Sequence, residues 1–63
     1  MKWVNYTKIY KGQRIFGLDT KGKVFLSKGL TINSIKPDCI IIRHDYGETE
    51  KVNLDTKFYI KEK

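Results

Sequence analysis

Cysteine, proline and long apolar runs are nearly missing from this chain of 63 residues, which has one cysteine and one proline. A lone cysteine, Cys39, cannot form an internal disulfide, whereas small secreted domains usually rely on several such bridges. The longest unbroken apolar run is the four-residue stretch 39–42. That is far below the roughly 18 residues of a membrane span, and no signal-peptide segment opens the chain. These absences predict a cytoplasmic protein that is not inserted in a membrane.

Acidic residues are scarce in the first half of the chain. Residues 1–31 hold seven Lys/Arg and one acid, Asp19, whereas residues 32–63 hold six residues of each sign. The whole net charge of +6 therefore belongs to the first half. Because a fixed basic field attracts polyanions and acidic protein surfaces alike, the asymmetry predicts one of these two partners.

Patterns for nucleophilic catalysis are missing as well. The only histidine, His44, and Cys39 lie five residues apart in one expected strand, so their side chains point to opposite faces. They cannot form a nucleophile–base pair within one molecule, and Cys39 is read as a small buried apolar residue. We therefore expect no enzyme activity and no cofactor.

Metal-binding patterns are equally weak. The one cysteine and one histidine are too few for a zinc site, which usually takes three or four ligands. The acids Asp45, Glu48 and Glu50 lack the spacing of a calcium loop. Cross-strand pairing of these acids with Arg43 or Lys51 is the simpler expectation, so no metal site is predicted.

Size and composition predict one small folded domain, 1–63, because 40% of the residues are apolar and eight are aromatic. Aromatic and β-branched residues dominate short runs separated by glycine and Asx turns, as is typical of strands. The runs are 2–10, 13–19, 23–27, 30–35, 39–45, 49–54 and 58–61. We expect an all-β fold, with five or six short strands in an SH3-like or OB-like barrel.

Turn signals refine this expectation. Residues 19–22 indicate a type I turn with Gly22 at positive φ, and 45–48 indicate a hairpin with Gly47 in the left-handed region. Residues 55–57 fit one short helical turn before the last strand. The segment 30–35 is compatible with a strand or with about one turn of helix.

Strand alternation predicts which side chains face outward. A single strand over 2–10 would place Tyr6, Lys8 and Tyr10 on one basic and aromatic face. In the run 23–27, Lys23 and Phe25 share a face, whereas Val24 and Leu26 are expected in the core, as is Trp3. Exposed rings between cations form the surface used to stack single-stranded bases, and the alternative is that the rings fill the core.

Three Lys-Gly pairs, at 11–12, 21–22 and 28–29, place cations beside flexible backbone N–H groups. This arrangement suits phosphates bound along one rim of the barrel. The ordinary composition of exposed turns explains the pairs equally well. We predict a small nucleic-acid-binding protein, for DNA or RNA, that contacts backbone phosphates. The predicted site comprises Lys8, Lys11, Arg14, Lys21, Lys23 and Lys28 for phosphates, and Tyr6, Tyr10 and Phe25 for stacking.

The alternative is a protein-interaction module, such as a small regulator or inhibitor, that docks on an acidic surface or sheet edge of a larger protein. A contiguous basic face with exposed aromatics favours nucleic acid, whereas an exposed apolar patch favours a protein partner. In size, charge and β content the chain is similar to small basic DNA-binding barrels, although no motif assigns it to a family.

Overall fold

Six antiparallel strands form one sheet in the computed structural model, which describes residues 1–61. The strand order is β1-β6-β2-β3-β4-β5. A single 3-10 turn, Tyr6–Lys8, follows β1. The strands are β1 Lys2–Val4, β2 Arg14–Thr20, β3 Lys23–Ile35, β4 Cys39–His44, β5 Thr49–Asn53 and β6 Lys57–Ile60.

The first strand is much shorter than the run 2–10 predicts, because Asn5 ends it. The Asn5 side chain accepts a hydrogen bond from the Thr7 backbone N–H at 3.1 Å, which caps the 3-10 turn instead of continuing a ladder. The backbone then turns again at Gly12, whose φ is +89°. The predicted alternating face of Tyr6, Lys8 and Tyr10 is therefore wrong, since these residues lie outside any strand.

A tight hairpin joins β2 to β3 through Lys21 and Gly22. Their φ angles are +52° and +84°, so both central residues are left-handed, as in a type I′ turn, rather than in the predicted type I turn. The Asp19 carboxylate fixes the turn by accepting a hydrogen bond from the Gly22 N–H at 3.0 Å. This hairpin geometry matches the right-handed twist of the flanking strands.

The third strand joins the two expected segments 23–27 and 30–35 into one strand of 13 residues. A straight strand of that length would span about 40 Å, yet the largest dimension of the protein is 24 Å. Two irregularities in pairing, opposite Phe16 of β2 and at Asn33, allow β3 to bend. The bent strand pairs with β2 along its first part and with β4 along its second.

The predicted hairpin between β4 and β5 is confirmed. His44 N–H donates to the Glu48 carbonyl at 2.8 Å, and Gly47 has a φ of +103°. Asp45 N–H also donates to the Gly29 carbonyl at 2.9 Å, which ties this hairpin to the irregular part of β3. A turn also precedes the last strand, closed by the Thr56 N–H on the Asn53 carbonyl at 3.1 Å. It covers residues 54–55, and Lys57 already belongs to β6, so the helical turn expected over 55–57 is not formed.

One apolar cluster on the inner face of the bent sheet forms the core. It comprises Ile9, Ile15, Leu18, Leu30, Ile32, Ile40, Ile42, Val52, Phe58 and Ile60. Cys39 is buried and free, as predicted. No helix within residues 1–61 has the length and apolar character needed to cross a membrane.

The all-β prediction is confirmed, with six strands and only one 3-10 turn. The strands β2 to β5 form a meander, and β6 returns to lie between β2 and β1. Within residues 1–61 no ladder joins β1 to β5, so the sheet keeps two open edges.

Three apolar side chains expected in the core lie instead on the outer face of the sheet. The register aligns Trp3 with Tyr59, Tyr59 with Gly17, and Gly17 with Leu26 in one row across four strands. Trp3 is 39% exposed, Val24 58% and Leu26 64%. The prediction fails because Phe25, not its neighbours, aligns with Leu18 and so lies on the core side of β3.

In this outer row, the neighbouring strands leave little space above Gly17. A Cβ atom there would lie 2.8 Å from Leu26 Cδ2, 3.0 Å from the Phe25 carbonyl oxygen and 3.3 Å from Tyr59 Cβ. We expect Gly17→Ala to lower the free energy of unfolding by roughly 1 to 2 kcal/mol through overpacking. Urea unfolding followed by circular dichroism measures the change.

The control for this substitution is Glu48→Ala in the exposed β4–β5 turn. Its effect on the free energy of unfolding should stay within about 0.5 kcal/mol. A Gly17→Ala variant as stable as the unchanged protein would contradict the close approach of Leu26 and Tyr59 over this glycine.

Candidate nucleic-acid interface

The residues predicted to bind phosphates do not lie along one rim. Lys11 precedes β2 and Lys21 follows it, so the whole of this seven-residue strand, about 20 Å long, lies between them. Lys28 lies in the irregular part of β3, opposite Phe16. The three Lys-Gly pairs are therefore dispersed, because each belongs to a different connection or bulge.

Arg14 is held by an acid from the second half of the chain. Its guanidinium donates from Nη1 to Asp45 Oδ1 at 2.7 Å and from Nη2 to Asp45 Oδ2 at 3.0 Å. This bidentate pair links β2 to the β4–β5 turn and occupies donors that a phosphate would need. We therefore remove Arg14 from the candidate site.

The expected pairing of Arg43 or Lys51 with the acids of the β4–β5 hairpin is wrong. Asp45 pairs with Arg14, and Glu50 pairs with His44, whose Nε2 lies 3.1 Å from Glu50 Oε1. The register explains the difference, since Arg43 lies opposite Thr49 and Lys51 opposite Ile41. His44 and Glu50 thus face each other on the inner side of the sheet.

Apart from Lys28, the remaining predicted residues form two separate groups. The loop group lies in and after the 3-10 turn and comprises Tyr6, Lys8, Tyr10 and Lys11, all of them exposed. The hairpin group lies at the β2–β3 hairpin and comprises Lys21, Lys23 and Phe25, also exposed. None of the three predicted stacking rings fills the core.

The hairpin group adjoins a cleft. The cleft has a volume of about 250 Å³ and opens between the β2–β3 hairpin and the β4–β5 pair. Its lining residues are Leu18, Thr20, Lys23, Phe25, His44 and Glu50. The predicted shared face of Lys23 and Phe25 is confirmed, since both side chains line this one cleft.

Phe25 is the aromatic wall of the cleft. It aligns with Leu18, which in turn aligns with the fully buried Phe58, so all three belong to the core face of the sheet. The hairpin carries Phe25 beyond the end of the core, which leaves this ring 52% exposed. A flat apolar surface is therefore open to solvent beside a cation.

Polar groups line the rest of the cleft. The His44 ring stacks on Tyr46 with 5.0 Å between centroids, and its Nε2 contacts Glu50, which keeps the imidazole in place. The Thr20 hydroxyl lies 3.5 Å from the hydroxyl of Thr56, which is fully buried. The cleft thus combines a stacking ring, a lysine ammonium and several hydrogen-bonding groups.

The sequence reasoning missed Thr20, His44 and Glu50 as members of this site. Alternation along β4 would have found His44, because Ile40, Ile42 and His44 share one face. Pairing across the confirmed hairpin then places Glu50 opposite Ile42 on that same face. No sequence signal shows that the β2–β3 hairpin bends toward them.

Metal ligands are not grouped in the described part of the chain, where no three His, Cys, Asp or Glu side chains lie together. Comparisons with protein-family models, with curated proteins and with solved structures give no match.

Proposed function

We propose that this protein binds single-stranded nucleic acid by inserting one unpaired base into the cleft between the β2–β3 hairpin and the β4–β5 pair. The observation that carries the proposal is that Phe25 and Lys23 line the same cleft. A base has a flat apolar face and a polar edge. Phe25 supplies the stacking surface, and the Thr20 hydroxyl and the Glu50 carboxylate oxygen that His44 does not contact supply hydrogen-bonding partners for the edge.

Stacking on Phe25 requires a base that is free of its complementary strand. Base–aromatic stacks contribute about 1 to 3 kcal/mol each and tolerate any base, because every base has a π face. The proposed mode therefore favours single strands over duplex and gives limited sequence preference.

The charges around the cleft favour phosphates that lie outside it. The Glu50 side chain is 52% exposed, and its carboxylate repels a phosphate. Lys21 and Lys23, in and just after the hairpin turn, have no acid within ion-pair distance in residues 1–61. The phosphates on either side of the inserted base then lie near these two ammonium groups. The net charge of +6 attracts the strand to the protein from a distance.

The prediction of a small SH3-like barrel is part of the same proposal. The meander β2-β3-β4-β5, the tight turn after β5 and the return of β6 beside β2 support a partly open, SH3-like barrel. In such a barrel the cleft would be the mouth, a common place for ligands to bind.

Replacing both Lys21 and Lys23 with glutamine tests the phosphate contacts. We expect affinity for a labelled single-stranded oligonucleotide to fall about tenfold at low salt, about equally for all sequences. The slope of log affinity against log salt should flatten by about 1.4, since each phosphate contact on a single strand contributes roughly 0.7. Fluorescence anisotropy with single-stranded DNA, duplex DNA and RNA measures both quantities.

The double variant Lys8→Gln with Lys11→Gln is the matched control, because it removes the same charge from the loop group. Its effect should be smaller, reflecting only the loss of long-range attraction. If the loop variant weakens binding more than the hairpin variant, the strand lies on Tyr6 and Tyr10 instead. Absence of any binding at low salt overturns the proposed function altogether.

A further inference from the structure

A second surface, on the opposite face of the sheet, is apolar and open. We define the outer band as the exposed and half-buried apolar and aromatic side chains that Met1 and the strands β1, β6, β2 and β3 place on this face: Met1, Trp3, Phe16, Val24, Leu26 and Tyr59. The Trp3 and Tyr59 rings lie 4.8 Å apart between centroids. The proposed nucleic-acid cleft uses none of these residues.

Gly17 makes the outer band continuous. It lies between Tyr59 and Leu26 in the cross-strand row and carries no side chain to separate them. Leu26 Cδ2 occupies the space above it, within 2.8 Å of the position of a Cβ. The apolar surface therefore runs without interruption from Trp3 through Tyr59 to Leu26.

A groove opens within this band. Its volume is about 400 Å³, and its lining residues are Met1, Phe16, Leu26, Ser27, Lys28 and Tyr59. Leu26 is 64% exposed and Met1 55%, although both are large apolar side chains. Contiguous exposed apolar surface of this kind marks a site where another molecule binds.

The charged side chain among the lining residues of the groove is a cation, Lys28. Lys57 lies in the next row of the same face, opposite Asp19. Lys57 and Asp19 carry opposite charges, so that row adds no net charge, and the cationic character of the groove comes from Lys28. An apolar ligand flanked by a carboxylate therefore complements this face in both polarity and charge.

Two other occupants fit less well. A second copy of the chain would bring equal cationic surfaces together, and each copy has a net charge of +6. A flat lipid surface has no projecting group of fixed shape to fill a groove bounded by Phe16, Leu26 and Tyr59.

We propose that the outer band is a docking surface for a protein partner that inserts a large apolar side chain into the groove and places a carboxylate near Lys28. This inference is independent of the nucleic-acid cleft. The two surfaces lie on opposite faces of the β2–β3 hairpin, so the protein can hold a strand on one face and a protein on the other.

Selection from a library of random displayed peptides of about ten residues, with the 63-residue protein as target, tests this proposal. We expect enriched peptides to carry Asp or Glu within about two residues of Phe, Trp or Leu. One such peptide, synthesised and labelled, should bind about tenfold more weakly to Leu26→Gln and to Lys28→Glu. Because Lys28→Glu replaces one exposed charged side chain with another, it should fold normally. It therefore still measures the contribution of this face to peptide binding if Leu26→Gln is poorly folded.

Matched controls lie elsewhere on the same strand and its following loop. Ile35→Gln changes an apolar side chain that is 40% exposed, and Lys36→Glu reverses an exposed charge. Both should leave peptide affinity within about twofold. Binding of single-stranded DNA should likewise be unchanged in Leu26→Gln, and peptide binding unchanged in Phe25→Ala.

Several results would overturn the inference. Enriched peptides without acidic residues, or peptide binding insensitive to both Leu26→Gln and Lys28→Glu, would show that this face is not the docking surface. Self-association in sedimentation that Leu26→Gln abolishes would assign the band to a second copy. Binding to phosphatidylserine vesicles that the same variants abolish, with no peptide enriched, would assign it to a lipid surface.

Discussion

Replacing Phe58 with alanine is expected to unfold a large share of the protein at room temperature. Truncation of a fully buried phenylalanine costs about 3 to 5 kcal/mol, from lost apolar burial and the cavity left behind. A chain of this length has a total stability of roughly 3 to 9 kcal/mol, at about 0.05 to 0.15 kcal/mol per residue. This one substitution therefore removes a major part of the margin.

Phe58 has this effect because of its place in the sheet. It lies on β6, opposite Val4 of β1 on one side and Leu18 of β2 on the other, and it is 0% exposed. The cavity would open between three strands, one of which is an edge strand of only three residues. A strand that short cannot collapse far enough to fill the space.

Circular dichroism in increasing urea measures the change, with Tyr10→Ala as the matched control. Tyr10 is also aromatic but 64% exposed, so its truncation should alter the free energy of unfolding by no more than about 0.5 kcal/mol. If Phe58→Ala and Tyr10→Ala prove equally stable, β6 does not lie in the core and the strand order is wrong.

Phe25→Ala should produce the largest loss of nucleic-acid affinity of any single substitution in the cleft. Removing one base–aromatic stack costs about 1 to 3 kcal/mol, which corresponds to a loss of about 5-fold to 150-fold in affinity. The ring is half exposed, so the same change should affect stability much less than Phe58→Ala. Anisotropy titration with a labelled single strand measures the affinity.

Phe25→Trp distinguishes stacking from a structural role. Tryptophan retains a flat aromatic face, so affinity should be kept or increased, whereas a leucine of similar apolar character should not restore it. A Phe25→Leu variant that binds as well as the unchanged protein would show that stacking on this ring contributes nothing.

The hairpins that join neighbouring strands were predictable where glycine and Asx residues mark the turns. Gly47 in the β4–β5 hairpin and Gly22 in the β2–β3 hairpin both take the positive φ that the sequence predicts. The all-β class follows from the β-branched and aromatic runs for the same reason. These are local signals, set by residues close together in the chain.

The direction of side chains was less predictable, because it depends on pairing between distant strands. A shift of one residue in register moves every side chain to the other face. The sequence therefore predicts Trp3, Val24 and Leu26 in the core, although the pairing of Gly17 with Tyr59 and Leu26 places them on the outer face. Asn5 shortened β1 through a side-chain cap that competes with strand pairing.

The candidate site was predictable only in part. Charge and residue type identify Lys21, Lys23 and Phe25, which do lie together at one hairpin. They also select Arg14, which is held by Asp45 of the β4–β5 turn, far along the chain. Whether a cation is free to bind a phosphate depends on acids that are far away in the sequence. Composition does not reveal which cation and acid pair in the folded protein.

The most direct test of the proposed function is a map of where a single strand contacts the protein. Backbone amide shifts in a two-dimensional NMR spectrum, recorded during titration with an unlabelled single-stranded oligonucleotide, provide it. We predict that the largest shifts cluster at Thr20, Lys23, Phe25, His44 and Glu50, the residues that line the cleft. Shifts confined to the loop group at Tyr6, Lys8, Tyr10 and Lys11, or no shifts at low salt, would contradict this account.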